Sequence, residues 1–85
     1  MTPRKLLRRL ATSQTNVRFS DLVRLAVALG FVLDRTSGSH HIYIHKVYTD
    51  AQLNLQPAKS QAKPYQIRQL LRLVEEYNLQ IEDHE

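Results

Sequence analysis

Cysteine and tryptophan are absent from this chain of 85 residues, and glycine occupies only two positions. Without cysteine the chain can form neither a disulfide framework nor a cysteine-based zinc site, which fits a reducing compartment and predicts a cytoplasmic protein. No apolar run approaches the roughly 18 residues that cross a bilayer. The N-terminal segment also lacks the continuous apolar stretch of a secretory signal. We therefore expect a soluble protein with no membrane association.

A chain of this length predicts one domain over residues 1–85, with a small core that buries about 60–65% of the unfolded surface. Its formal net charge is +4. Basic residues concentrate in the first predicted helix, at Arg4, Lys5, Arg8 and Arg9. This concentration is typical of polyanion binding at one end of the molecule, but a solvated amphipathic helix explains it equally well.

Periodicity and turn residues predict three helices and three strands. Thr2 caps a first helix of about ten residues with Pro3 at its first position, and Ser20 caps a second helix that ends at Gly30. Pro64 opens the last helix, and the strands between are predicted at 31–33, 40–48 and 53–57. The fold class is therefore α+β, a three-stranded antiparallel sheet with its helices packed on one face.

The alternation of the second strand predicts which of its side chains face the core. Ile42 and Ile44 share one face with His40, and we expect this face to be buried. The other face carries His41, Tyr43 and His45. We expect the helices to leave that second face open, where it could receive RNA or a partner protein.

Three of the four histidines lie between residues 37 and 45, in and after a Gly-Ser turn. Histidine can both accept and donate a proton near neutral pH, so the segment is a candidate site for proton transfer on a phosphate. Ordinary polar strand residues would give the same pattern. A metal site formed by His41 and His45 is disfavoured, because the two lie about 13 Å apart along a strand. We expect no metal and no cofactor.

From residue 19 onward the order of motifs resembles the HicA toxin family of bacterial toxin-antitoxin modules. The second helix ends in Ala28-Leu29-Gly30-Phe31, and the hairpin carries Gly38-Ser39-His40-His41-Ile42-Tyr43. A short third strand and a lysine-rich loop follow, and the last helix runs from Lys63-Pro64-Tyr65-Gln66-Ile67 to Glu76-Tyr77-Asn78-Leu79. The resemblance implies an αβββα core over residues 19–81, like that of double-stranded-RNA-binding domains. Residues 1–18 are then an extra basic helix and connector, which could cover the sheet edge, bind RNA or mediate self-association.

The resemblance further implies an mRNA interferase, an endoribonuclease that cleaves RNA without a metal by means of a histidine, and a HicB-type antitoxin that covers the active surface. The family's catalytic histidine follows Gly-Ser, which places it at His40, with His41 in reserve. We expect partial burial at the start of the strand to keep the His40 imidazole neutral. The Val-Pro-x-His motif of many members is replaced here by Leu55-Gln56-Pro57, so its histidine is missing.

The residues expected to contact the mRNA are Gly38, Ser39, Tyr43, Lys46, Lys59 and Lys63, and Arg35 is a further candidate cation. Tyr43 would stack on a base, and the cations would stabilise charge at a phosphate. The alternative function is a non-catalytic RNA-binding module of the same fold, which would hold RNA by its phosphates and leave it intact.

Overall fold

A computed structural model of the protein describes residues 1–57 and 59–82. Within them the elements follow in the order α1 (Pro3–Leu10), α2 (Phe19–Ala28), β1 (Phe31–Ser37), β2 (His40–His45), β3 (Gln52–Leu55) and α3 (Pro64–Tyr77). The strands form one antiparallel sheet in the order β1-β2-β3. The predicted α+β class is confirmed, as an αβββα arrangement preceded by an extra helix. Among the described helices none is long and apolar enough to cross a membrane.

Local residues explain where α1 begins and where α2 ends. The Thr2 hydroxyl accepts a hydrogen bond from a backbone N–H of the first turn at 3.2 Å, as predicted. Gly30 follows the end of α2 and has a φ of +104°, a backbone conformation that residues with a side chain rarely adopt. The predicted cap at Ser20 is wrong, because α2 begins at Phe19, before Ser20, and no side chain caps it.

A two-residue turn joins β1 to β2. Ser37 pairs with His40, which leaves Gly38 and Ser39 as the turn, and Gly38 adopts a φ of +61°. Glycine followed by a small polar residue is typical of the type II′ turns that match the twist of a hairpin. β1 is therefore longer than predicted, and β2 is shorter.

The face of the sheet that meets the helices is the opposite of the predicted one. Tyr43 is 7% exposed and lies in the core, paired with the fully buried Leu53 of β3. Phe31 and His45 form another pair on this face, and both are buried. Burial of these large side chains outweighs burial of the two isoleucines of β2, so they decide which face meets the helices.

The helices leave the opposite side of the sheet uncovered, and we call this side the open face. The register places on it His40, Ile42 and Ile44 from β2, Val32, Arg35 and Ser37 from β1, and Gln52 and Asn54 from β3. Val32 is 54% exposed, and Ile42 is shielded within the sheet without joining the core cluster. The prediction that the isoleucines face the core while Tyr43 and His45 lie on the open side is wrong.

The N-terminal helix is part of the same core. Leu6 and Leu10 are 2% and 0% exposed, and α1 packs against α2 rather than along an edge of the sheet. The connector that follows is also tied down. Val17 is buried, and its carbonyl accepts a hydrogen bond from the Ala62 N–H at 2.7 Å. The leucines of α1 thus contribute to the core, while its basic side chains Arg4, Lys5 and Arg8 lie outside.

Candidate active site

His40 begins β2 directly after the turn and lies on the open face. The residue is exposed, and its Nδ1 lies 3.0 Å from Oδ1 of Asn54 on the neighbouring strand. Among the described residues, the other ring nitrogen, Nε2, has no hydrogen-bond partner. The expected partial burial of His40 is wrong, because the residue is exposed.

Asn54 is itself held by a glutamine from α3. Its backbone N–H donates to Oε1 of Gln69 at 2.8 Å, and its carbonyl accepts from Nε2 of Gln69 at 2.9 Å. These two bonds satisfy the outer backbone edge of β3 at this residue, so another strand cannot pair there. Sequence reasoning misses both residues. The one available signal is that Asn54 alternates with Leu53 and Leu55, which predicts that its side chain faces away from the leucines.

His41 lies on the other side of the sheet from His40. It is half-buried and pairs with Leu55, whose side chain is fully buried. Since adjacent strand residues point to opposite faces, the two imidazoles do not meet at one phosphate. His40 therefore lies on the open face, and the reserve candidate His41 is turned towards the helices.

His45 is a core residue whose ring nitrogens both have partners. It is 5% exposed, its Nε2 lies 2.9 Å from the Leu29 carbonyl oxygen, and its Nδ1 lies 3.1 Å from the backbone nitrogens of Val47 and Tyr48. A carbonyl only accepts and a backbone N–H only donates, so the His45 proton is on Nε2. The ring joins the end of α2 to the turn after β2, and its role is structural.

Neither Tyr43, the residue predicted to stack on a base, nor Tyr48 lies on the open face. Tyr43 is buried in the core, so the prediction that its ring stacks on RNA is wrong. Tyr48 is 47% exposed, but its ring packs against His45 and Tyr77 at centroid distances of 5.3 and 5.7 Å. Among the described residues of the open face there is neither tyrosine nor phenylalanine.

The predicted turn and lysine-rich loop lie at the same end of the sheet as His40. Gly38 and Ser39 are exposed, and the Ser39 hydroxyl accepts a hydrogen bond from the Gln56 side-chain amide at 3.5 Å. Gln56 follows β3 directly and begins the loop that carries Lys59 and Lys63, both exposed. The turn and the start of the basic loop are thus joined.

The remaining predicted cations fall at different distances from His40. Arg35 pairs with Ile42, two residues from His40, and belongs to the open face. Lys46 lies beyond the far end of β2, about 20 Å along the chain from His40 at the usual rise of a strand. Its ammonium group is 2.7 Å from a carboxylate oxygen of Glu82. Arg35 therefore lies two strand positions from the point opposite His40, with its guanidinium 2.7 Å from a carboxylate oxygen of Asp34, whereas Lys46 lies far from His40.

The segment that carries these residues matches a known protein family. The family model described as the HicA toxin of bacterial toxin-antitoxin systems matches residues 19–75, from the start of α2 to the last turns of α3. Comparison with curated proteins and with solved structures gave no significant match. The matched segment holds the Gly-Ser turn, His40, Asn54 and Gln69, and it covers well over half of the chain. The chain belongs to the HicA toxin family.

Proposed function

We propose that this protein is an mRNA interferase, an endoribonuclease that cleaves mRNA in the cytoplasm without a metal ion. The observation that carries the proposal is the position of His40, which follows Gly38 and Ser39 and stands exposed on the open face. Membership of the HicA family supports a toxin that acts on RNA. The exposed imidazole supplies a group that can accept a proton near neutral pH.

In the proposed reaction Nε2 of His40 takes the proton of a ribose 2′-hydroxyl. The 2′-oxygen attacks the adjacent phosphorus, and the bond from phosphorus to the 5′-oxygen of the next nucleotide breaks. That 5′-oxygen then takes a proton from water or from the imidazolium. The products are a 2′,3′-cyclic phosphate and a 5′-hydroxyl end. Arg35 stabilises the negative charge that develops on the phosphate.

RNA binding in this proposal begins at the turn and continues onto the basic loop. The backbone of Gly38 and Ser39 lets a phosphate approach His40 closely, since neither residue carries a bulky side chain. Lys59 and Lys63 hold the flanking phosphates by their charge. Lys46 contributes to the binding of RNA that extends along the sheet, although Glu82 partly offsets its charge.

A HicB-type antitoxin is the partner in this proposal, because an active interferase would damage its own host. The antitoxin would cover the open face and present acidic groups to the basic loop. Residues 19–81 form the catalytic αβββα core, and residues 1–18 are an addition whose leucines complete the hydrophobic core.

The proposal is tested by incubating a defined RNA with the protein in EDTA. The variants are His40→Ala, His40→Gln and His41→Ala, each checked for folding by circular dichroism. Loss of a general base should slow cleavage about 10²- to 10⁴-fold in both His40 variants. His40→Gln keeps an exposed polar side chain, so its RNA affinity should match that of the parent. His41→Ala should keep its activity, because that side chain faces the helices.

A matched RNA with one 2′-deoxy nucleotide at the cleaved position should stay intact. Cleavage of that RNA, or of the equivalent DNA, would overturn the proposed mechanism. Activity lost in His41→Ala and retained in His40→Ala would overturn the choice of histidine. RNA that is bound in a salt-sensitive manner but left intact by the parent would identify the alternative, a non-catalytic RNA-binding module.

A further inference from the structure

We infer that Asn54 is a positioning residue that holds His40 in the tautomer needed by a general base, with the proton on Nδ1 and the lone pair on Nε2. The inference rests on the proposed function, since it names how the same site is prepared for catalysis. Asn54 lies two strand positions from the point opposite His40, within reach of a diagonal side-chain contact. The 3.0 Å separation of Nδ1 and Oδ1 is that of a hydrogen bond.

The chemistry of the two groups decides the direction of this bond. In the structure the Asn54 amide is oriented with its oxygen towards the ring. Because that oxygen accepts hydrogen bonds and cannot donate them, Nδ1 of His40 carries the hydrogen in this orientation. A neutral imidazole has one ring proton, which leaves Nε2 as the basic nitrogen. Without a partner, the ring would exchange between its two tautomers and rotate about its side-chain bonds. Asn54 therefore increases the fraction of His40 that presents a lone pair.

A positioning residue must itself be held, and Gln69 does this for Asn54. The two bonds from the Gln69 amide, at 2.8 and 2.9 Å, fix both backbone groups of Asn54. β2 holds the other side of β3 through the strand ladder. The Asn54 side chain thus starts from a backbone position fixed on both sides, and α3 is coupled to the orientation of His40 through a single residue.

An amide at residue 54 suits the orienting role better than a carboxylate would. A carboxylate at residue 54 would also accept from Nδ1, but its charge would stabilise the imidazolium and so oppose the neutral base. The amide orients the ring without adding that charge.

The test uses two readouts on the full chain, made by cell-free synthesis. Long-range ¹H–¹⁵N NMR spectra report the His40 tautomer, with His40→Gln used to assign its signals. Kinetics on a defined RNA in EDTA separate kcat from KM. The variants are Asn54→Leu, which removes the acceptor, and Asn54→Asp, which keeps it. The matched control is Gln52→Leu, on the same strand and the same face, opposite Ile44.

The parent should show the Nδ1–H tautomer at neutral pH. Asn54→Leu should shift His40 towards Nε2–H and lower kcat about 10- to 100-fold with little change in KM, the range found when the orienting partner of a metal-binding histidine is removed. Asn54→Asp should keep the tautomer and move the acidic limb of the pH–rate profile to higher pH. Gln52→Leu should match the parent in both readouts.

Two results would overturn the inference. One is a parent whose His40 carries its proton on Nε2, and the other is an Asn54→Leu variant with unchanged tautomer and kcat. The NMR readout does not depend on cleavage. An inactive parent would therefore overturn the proposed function, whereas an active parent with the wrong tautomer would overturn only the role of Asn54.

Discussion

Replacement of Gly30 by alanine should destabilise the protein through one identifiable contact. Gly30 has φ at +104°, and a Cβ added there would lie 2.5 Å from Nε2 of His45, much closer than such atoms approach. The imidazole cannot simply move away. Its Nε2 bonds to the Leu29 carbonyl, and its Nδ1 accepts from two backbone N–H groups of the turn after β2.

The expected loss of unfolding free energy has two parts. A positive φ costs a residue other than glycine about 1–2 kcal/mol. Displacement of the His45 ring also breaks a buried hydrogen bond to Leu29, and a buried polar group left without a partner costs about 1–3 kcal/mol. Gly30→Ala should therefore lower the free energy of unfolding by about 2–5 kcal/mol. That is a large part of the roughly 5–15 kcal/mol that a domain of this kind possesses.

The assay is urea denaturation followed by circular dichroism, with Gly38→Ala as the matched control. Gly38 also has a positive φ, +61°, but nothing lies within 4 Å of a Cβ added there. Gly38→Ala should therefore cost only the backbone part, about 1–2 kcal/mol. A second comparison places Gly30→Ala in a His45→Ala background, where the contact is absent. There its cost should fall to that of the control.

Equal losses for Gly30→Ala and Gly38→Ala would refute the reasoning, because they would leave no cost for the contact with His45. So would a Gly30→Ala loss that is the same with and without the His45 ring. Either result would show that the turn after β2 adjusts at little cost, and that His45 is not the rigid link between α2 and β2 that its hydrogen bonds indicate.

Two further predictions concern the N-terminal helix and the cations. Leu10→Ala should lower the unfolding free energy by about 2–5 kcal/mol in the same urea assay, because Leu10 is fully buried against α2; a loss below 1 kcal/mol would show that α1 is dispensable for the core. Lys63→Ala should weaken RNA binding and reduce its salt dependence more than Lys46→Ala does, because Lys46 is paired with Glu82 at the far end of β2. The reverse order in binding titrations at several salt concentrations would place the RNA along the other end of the sheet.

The architecture could be predicted because the residues that begin and end its helices act locally. Thr2 marks the start of the first helix, Gly30 the end of the second and Pro64 the start of the third, and each acts through its own backbone or side chain within a few residues. The start of α2 could not be predicted in the same way, and the predicted cap at Ser20 is wrong. There α2 begins without a side-chain cap, since the backbone N–H of Phe19 donates instead to the Ser60 carbonyl at 2.8 Å, across the chain.

The orientation of β2 could not be predicted from its own residues. Both of its faces contain apolar side chains, Ile42 and Ile44 on one and Tyr43 on the other. A histidine normally counts against burial, but both ring nitrogens of His45 find partners inside the protein, which removes most of the cost of burying it. Those partners belong to α2 and to the following turn, so the sequence of the strand alone does not contain the information.

The reversed orientation also changes the argument for the catalytic histidine. With the isoleucines inside, His40 could reach RNA only as an exception at the start of the strand. With Tyr43 and Leu53 inside, the alternation of the strand itself brings His40 to the open face and turns His41 towards the helices. The packing of the core therefore selects which imidazole is exposed. The exposed ring of His40 then contacts Asn54 on the neighbouring strand, and not the core.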